Sequence, residues 1–145
     1  MSTTQRRIEA TPEQVWEVLS DGWLYPLFVV GASRMRDVDD TWPAVGSLLH
    51  HSVGTWPLLI DDTTEVLARE DHRHLSLEAR GWPAGRAQVD FHLEPQDGGT
   101  LVTIEEDATG GPALLMPKPL RDAQLHVRNV EALQRLAYVV EGRTR

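Results

Sequence analysis

Six short segments with the pattern of β-strands follow one another through the middle of the chain, and this succession restricts the fold more than any other feature. The segment 87–93 is the clearest example, with apolar side chains at 87, 89, 91 and 93 and polar ones between them. A period of two with one apolar face is typical of strands in an antiparallel sheet that has one face toward water. Turn residues such as Gly98 and Gly99 separate the segments. The six segments are 32–38, 46–53, 58–69, 75–81, 87–93 and 100–108.

Helical segments flank these strands. After a first strand at 3–9, Thr11 and Pro12 fit the cap and first position of a helix, and Gln14 completes a capping box. A second short helical or irregular segment follows. Near the end, apolar residues recur every three or four positions and predict one long helix over 120–141. This apolar stripe consists of Leu120, Ala123, Val127, Val130, Leu133, Ala137 and Val140.

Length and composition exclude several classes of protein. The 145 residues are expected to form a single domain over 1–145. The formal net charge of −8 argues against a nucleic-acid partner, which requires a basic surface. Cysteine is absent, so disulfides and thiolate metal sites are excluded and a cytoplasmic location is expected. The longest apolar stretch, 23–32, is broken by Pro26 and is too short to span a bilayer, so we expect no integral membrane association. The glycine pairs lie in turns and linkers rather than in phosphate-binding loops, and no cofactor is predicted.

Three stretches of sequence, taken in this order, resemble a known superfamily. They are IEATPEQVWEVLSD at 8–21, FHLEP at 91–95 with GGTLVT at 98–103, and RNVEALQRL at 128–136. They resemble the START-like or Bet v 1-like (SRPBCC) superfamily, and within it the polyketide cyclase/dehydrase and lipid-transport family. The resemblance implies an α+β helix-grip fold, with a curved seven-stranded antiparallel sheet around a long C-terminal helix and two short helices after the first strand. It transfers no catalytic residue, because the family includes both enzymes and carriers.

Such a fold implies a ligand site between the helix and the sheet. One helix cannot cover a strongly curved sheet completely, and the remaining gap is the natural place for a small molecule. Hairpin turns of a meander lie at alternating ends, so the turns at 54–57 and 82–85 are expected to form the mouth together with the linker 110–119. The residues predicted to contact a ligand are Tyr25, Phe28, His51, Trp56, Asp62, Ala79, Trp82, Val89, Phe91, Met116 and Val127.

Three polar residues are candidates for proton transfer inside this site. Neighbouring strand residues point to opposite faces, and the more apolar companions of His51 and Asp62 favour an inward position for them over His50 and Asp61. A turn centred on 55–56 would make Asp62 the diagonal neighbour of His51. Glu106 shares a face with apolar residues of the last strand and is expected near the mouth. A bulge at 61–62 would instead turn both acids outward.

The sequence leaves three functions open. The first is binding of a hydrophobic or aromatic small molecule, polyketide-like, lipid or isoprenoid, in the cavity. The second is a polyketide cyclase, aromatase or dehydratase-type enzyme that uses the cavity histidine and carboxylates. The third is a protein-interaction module without a working pocket. No metal site is predicted, because His72 and His74 flank a charged turn. Both a monomer and a homodimer are compatible with the sequence.

Overall fold

The computed structural model describes residues 1–29, 32–53, 60–81 and 85–144. Its elements follow the predicted order, and β6 extends three residues beyond the predicted end at 93. Two short 3-10 helices accompany the regular elements. The elements are β1 (Ser2–Ile8), α1 (Pro12–Leu19), a first 3-10 helix (Gly22–Leu27), β2 (Ala32–Val38), β3 (Leu48–Val53), β4 (Ile60–Glu70), β5 (His74–Gly81), β6 (Gly85–Gln96), β7 (Gly99–Gly110), a second 3-10 helix (Pro112–Leu115) and α2 (Lys118–Arg143).

The seven strands form one curved antiparallel sheet in the order β1-β7-β6-β5-β4-β3-β2. Strands β2 to β7 are therefore a meander, and β1 adds to the sheet beside β7. Turns of a meander alternate between its two ends. The β2–β3, β4–β5 and β6–β7 turns lie at one end, which we call the closed end. The β3–β4, β5–β6 and β7–α2 connections lie at the other, which we call the open end. The predicted helix-grip fold is confirmed.

Helix α1 begins with the predicted capping box. The Thr11 side chain accepts a hydrogen bond from the Gln14 backbone at 3.2 Å, and the Gln14 side chain accepts one from the Thr11 backbone at 2.9 Å. Two backbone donors that a helix start leaves unpaired are thereby satisfied. The opposite face of α1 buries Val15, Val18 and Leu19 in the core.

Helix α2 is buried along its second half only. Its buried residues are Asn129, Ala132, Leu133, Leu136, Ala137 and Val140. The predicted stripe is correct in this half and wrong in the first half, where Leu120 and Val127 are 53% and 71% exposed. The physical reason is helical geometry. Nine residues separate Val127 from the buried Leu136, which at 3.6 residues per turn is about two and a half turns and places them on opposite sides of the helix.

Candidate functional site

Strand pairing arranges the inner face of the sheet in rows, because directly paired residues of neighbouring strands share a face. Near the closed end, Leu75 pairs with Phe91 and Phe91 pairs with Ile104. These three side chains are between 0% and 5% exposed and form the packed core together with α1 and the second half of α2. We call them the core row. The inner face is thus sealed at this end.

A second row, closer to the open end, consists of small side chains. Ala79 on β5 pairs with Ala87 on β6, and Ala87 pairs with Ala108 on β7. We call these three residues the alanine row. All three are only partly buried. Their side chains point to the inner face of the sheet. Near the open end, methyl groups therefore take the place of the large residues of the core row.

A polar group borders the alanine row on the neighbouring strands. Thr64 on β4 pairs with Ala79 on β5. The Thr64 hydroxyl lies 2.9 Å from Nε2 of His51, which is on the neighbouring strand β3. His51 pairs directly with Asp62. The register is unbroken from 60 to 65, and the irregularity of β4 falls between Val66 and Ala68 instead. The inward placement of His51 and Asp62 therefore agrees with the structure. The expected diagonal relation is wrong, because the connection from β3 to β4 is longer than the assumed turn and makes the two residues direct partners.

His51 is buried with one ring nitrogen unused. The residue is 8% exposed, and Nδ1 has no hydrogen-bond partner among the described residues. Burial lowers the pKa of His51, the Arg36 guanidinium acts in the same direction, and the Asp62 carboxylate acts against both. At neutral pH the imidazole is therefore uncharged. It offers an unpaired donor or acceptor, depending on which nitrogen carries the proton.

Glu106 lies on the same inner face and is tied to α2. It pairs with Val89 on β6 and with Ser2 on β1, and its side chain is 5% exposed. The guanidinium of Arg128 donates a hydrogen bond to its carboxylate. Because Arg128 is the charged partner of a buried carboxylate, this contact fixes the first half of α2 to the sheet near the alanine row.

Several predicted ligand contacts belong to the packed core. Tyr25 and Phe28 are 4% and 1% exposed, and their rings pack in a tilted arrangement with centroids 4.8 Å apart and planes 51° apart. The Tyr25 hydroxyl donates to the Leu19 carbonyl at 3.0 Å, and burial raises its pKa. Phe91 is part of the core row. In this structure all three are covered by protein.

The remaining predicted contacts lie toward the open end or on the outside. Val89 is partly buried between the core row and the alanine row, and Met116 is partly buried after the second 3-10 helix. Val127 faces away from the core and lines an open depression of about 810 Å³ on α2. Trp56 and Trp82 lie outside the described residues.

Sequence reasoning missed four residues of this region. Ala87 and Ala108 could have been found, because they continue the alternations that include Val89 and Glu106. Thr64 and Arg128 could not, because a hydrogen bond between strands and a contact from α2 to β7 depend on register and packing.

A second open depression, of about 480 Å³, lies at the closed end. Four of its ten lining residues carry carboxylates, and the hydrogen bond from His50 helps lower the pKa of one of them, Asp39. These charges disfavour an apolar ligand there. The lining residues are Trp16, Glu17, Ser20, Asp21, Gly22, Trp23, Val38, Asp39, Asp40 and Trp42.

The long helix held against a curved seven-stranded sheet, with two short helices after β1, defines a START-like (SRPBCC) protein. The chain belongs to the polyketide cyclase/dehydrase and lipid transport family, which it matches over residues 2–141. The resemblance stated from the sequence is confirmed. No curated protein matches the chain significantly. Within the described ranges, no helix combines the length and apolarity required to cross a membrane.

Solved structures share the fold at low sequence identity. The protein MLL2253 from Mesorhizobium loti superposes with a TM-score of 0.70 at 22% identity, over 99% of this chain and 97% of that one. Ara h 8.0201 gives 0.72 at 12% identity, over 97% and 96%. DynU16, from the dynemicin biosynthetic locus, gives 0.69 at 20% identity, over 97% of this chain and 47% of its own. At these identities the similarities establish the fold alone.

Proposed function

We propose that the chain binds a hydrophobic or aromatic small molecule, of polyketide-like, lipid or isoprenoid character, between the inner face of the sheet and α2. The alanine row carries this proposal. Three methyl groups stand side by side and partly exposed where the core row has leucine, phenylalanine and isoleucine. An apolar ligand placed there would gain about 25 cal/mol for each Å² of apolar surface removed from water.

The polar border of the row selects among apolar ligands. His51 Nδ1 is buried and has no hydrogen-bond partner within the described part of the chain, and an unsatisfied buried polar atom costs about 1–3 kcal/mol. A ligand that brings a hydroxyl would satisfy either tautomer of the imidazole, because a hydroxyl both donates and accepts. We therefore expect an aromatic or polycyclic compound with at least one hydroxyl or carbonyl oxygen to bind better than a pure hydrocarbon of the same size.

Binding can be tested with the fluorescent probe 1-anilinonaphthalene-8-sulfonate. We expect saturable binding to the folded protein, and a loss of at least about tenfold in affinity when Ala79→Trp fills the alanine row. The matched control is Glu78→Trp, since Glu78 precedes Ala79 on β5 and points to the outer face. The control is expected to bind the probe like the unaltered protein. Near-UV circular dichroism would verify that both variants keep fixed tertiary structure.

Equal probe binding by the two tryptophan variants would contradict a site on the inner face. Absence of saturable binding in the unaltered protein would instead favour a protein-interaction module. Displacement of the probe by 1-naphthol and by naphthalene tests the polar border, because only 1-naphthol carries a hydroxyl. We expect 1-naphthol to displace the probe at a lower concentration. The advantage of 1-naphthol is expected to disappear in His51→Phe, which keeps a ring in place and removes the nitrogens.

A second candidate is an enzyme that moves a proton next to a ligand carbonyl. Two observations favour this candidate. The uncharged His51 imidazole has a nitrogen without a hydrogen-bond partner in the ranges that the structure describes, and Asp62 is its cross-strand partner. The base would remove a proton from the carbon beside the carbonyl to give an enolate, which then regains a proton at the same carbon. Exchange of the 2-tetralone α-protons in deuterated buffer, followed by NMR, measures this step. An exchange rate above that in buffer alone, lost in His51→Gln, supports catalysis. An exchange rate equal to that in buffer contradicts the enzyme and is compatible only with binding.

A further inference from the structure

The outer face of the sheet carries a group of histidines and carboxylates that is separate from the inner face. His74 on β5 pairs directly with His92 on β6, and their imidazole rings stack with centroids 4.5 Å apart and planes 6° apart. His74 Nε2 lies 2.8 Å from Asp90 Oδ1, and His92 Nε2 lies 3.0 Å from Glu105 Oε1. We call these four residues, on three neighbouring strands, the histidine cluster.

From this cluster we infer a binding site for a divalent first-row transition metal such as Zn²⁺. Imidazole nitrogen and carboxylate oxygen are ligands that Zn²⁺ prefers. One ligand atom from each of His74, Asp90 and His92 lies within 4.8 Å of the others. Asp90 and Glu105 together carry a formal charge of −2, which one divalent ion neutralises.

Small side-chain rotations complete the coordination. Bonds of about 2.0–2.2 Å in a tetrahedral site require ligand atoms roughly 3.5 Å apart, which is closer than the 4.8 Å limit seen here. Each of the three side chains is partly exposed, so the rings are free to turn toward a common point. In the present arrangement His74 Nε2 is hydrogen-bonded to the Asp90 carboxylate. A metal ion bound there would take the place of the bridging hydrogen, and the imidazole would carry its hydrogen on Nδ1 instead.

An outer hydrogen bond holds one ligand in position. Gln88 Nε2 donates to Asp90 Oδ2 at 3.1 Å, which leaves Oδ1 directed at His74. Such contacts orient the ligands of protein metal sites. His72 lies two residues before His74 but is not part of the cluster, because its ring lies edge-on to Trp16 with centroids 6.2 Å apart. The strand register, rather than proximity in sequence, selects His92.

The test is isothermal titration calorimetry with ZnCl₂ on protein prepared without a histidine tag. We expect one Zn²⁺ per chain, and a decrease in affinity of at least about tenfold in His74→Asn and in His92→Asn. The matched control is His72→Asn, which removes a neighbouring histidine at a positive φ that asparagine tolerates. It is expected to bind Zn²⁺ like the unaltered protein.

A thermal-shift measurement supplies a readout that does not depend on heat of binding. Zn²⁺ is expected to raise the melting temperature of the unaltered protein and of His72→Asn, and to raise that of His92→Asn less at the same Zn²⁺ concentration. Circular dichroism without metal verifies that the variants are folded. Absence of Zn²⁺ binding in the unaltered protein, or equal binding after loss of His74 or His92, would overturn the inference.

Discussion

The contact between Arg128 and Glu106 gives the sharpest prediction on how α2 is held to the sheet. Arg128→Ala removes the cation and leaves a carboxylate that is 5% exposed without its charged partner. Loss of one partner from a fully buried pair costs about 3–5 kcal/mol, and exposed pairs contribute about 0–1 kcal/mol. Arg128 is itself 43% exposed, so the expected cost lies between these ranges. We expect about 2 kcal/mol, or a melting temperature lower by about 6 °C for a domain of this size.

Urea unfolding followed by tryptophan fluorescence measures this cost. The same helix supplies a matched control, because Arg135 pairs with Glu131 at 2.9 Å and is 42% exposed, but its partner is 47% exposed. Arg135→Ala is expected to cost only about 0.3–0.5 kcal/mol. The two arginines differ mainly in the burial of their partners, and this difference isolates the effect of the buried carboxylate.

A double-mutant cycle tests the reasoning behind the magnitude. Glu106→Gln removes the buried charge with little change of shape, so Arg128→Ala should cost much less in that background. We expect a coupling free energy of about 1–2 kcal/mol between the two sites. A cost of Arg128→Ala equal to that of Arg135→Ala, or one that is unchanged by Glu106→Gln, would refute the assignment.

Three further predictions concern stability and use the urea midpoint as readout. The lowered pKa of His51 means that the unfolded chain takes up a proton more readily, so unfolding free energy should fall, relative to His51→Gln, as the pH decreases below about 6.5; a constant difference would contradict this. Thr11→Ala removes the helix cap and should cost about 1 kcal/mol with an unchanged m-value, whereas the exposed Thr144→Ala should cost less. Gly22→Ala would bring a methyl group into Leu49 Cδ2 and within 2.9 Å of Val38 Cγ1, and should cost about 1–3 kcal/mol. An unaffected midpoint would show that these side chains move aside.

Local patterns made the fold and part of the candidate site predictable. The period of two identified the strands, and the cap residues placed the start of α1. The same alternation put His51 and Asp62 on the inner face, as observed. Each of these inferences needs only the direction of neighbouring side chains, which the backbone fixes within a few residues.

Features that depend on register or on distant packing were not predictable. The length of the β3–β4 connection decides whether Asp62 is a direct or a diagonal neighbour of His51. Register also brings His74 beside His92 across two strands. The apolar stripe of α2 was misjudged because spacings of three and four residues drift around a long helix, and they carried the predicted stripe from the buried side to Val127 on the opposite side.

The alanine row and the core row are different sets of residues, so the size of the proposed inner site can change without a change in the packed core. Adjacent strands lie about 4.8 Å apart, so the row spans roughly 10 Å, the width of a fused two-ring system. A valine or leucine at Ala79, Ala87 or Ala108 would shorten this span by one step and would leave the core row untouched. Under the proposed function, single substitutions at these three positions are therefore expected to change the length of the molecule that binds, while the closed end maintains the fold.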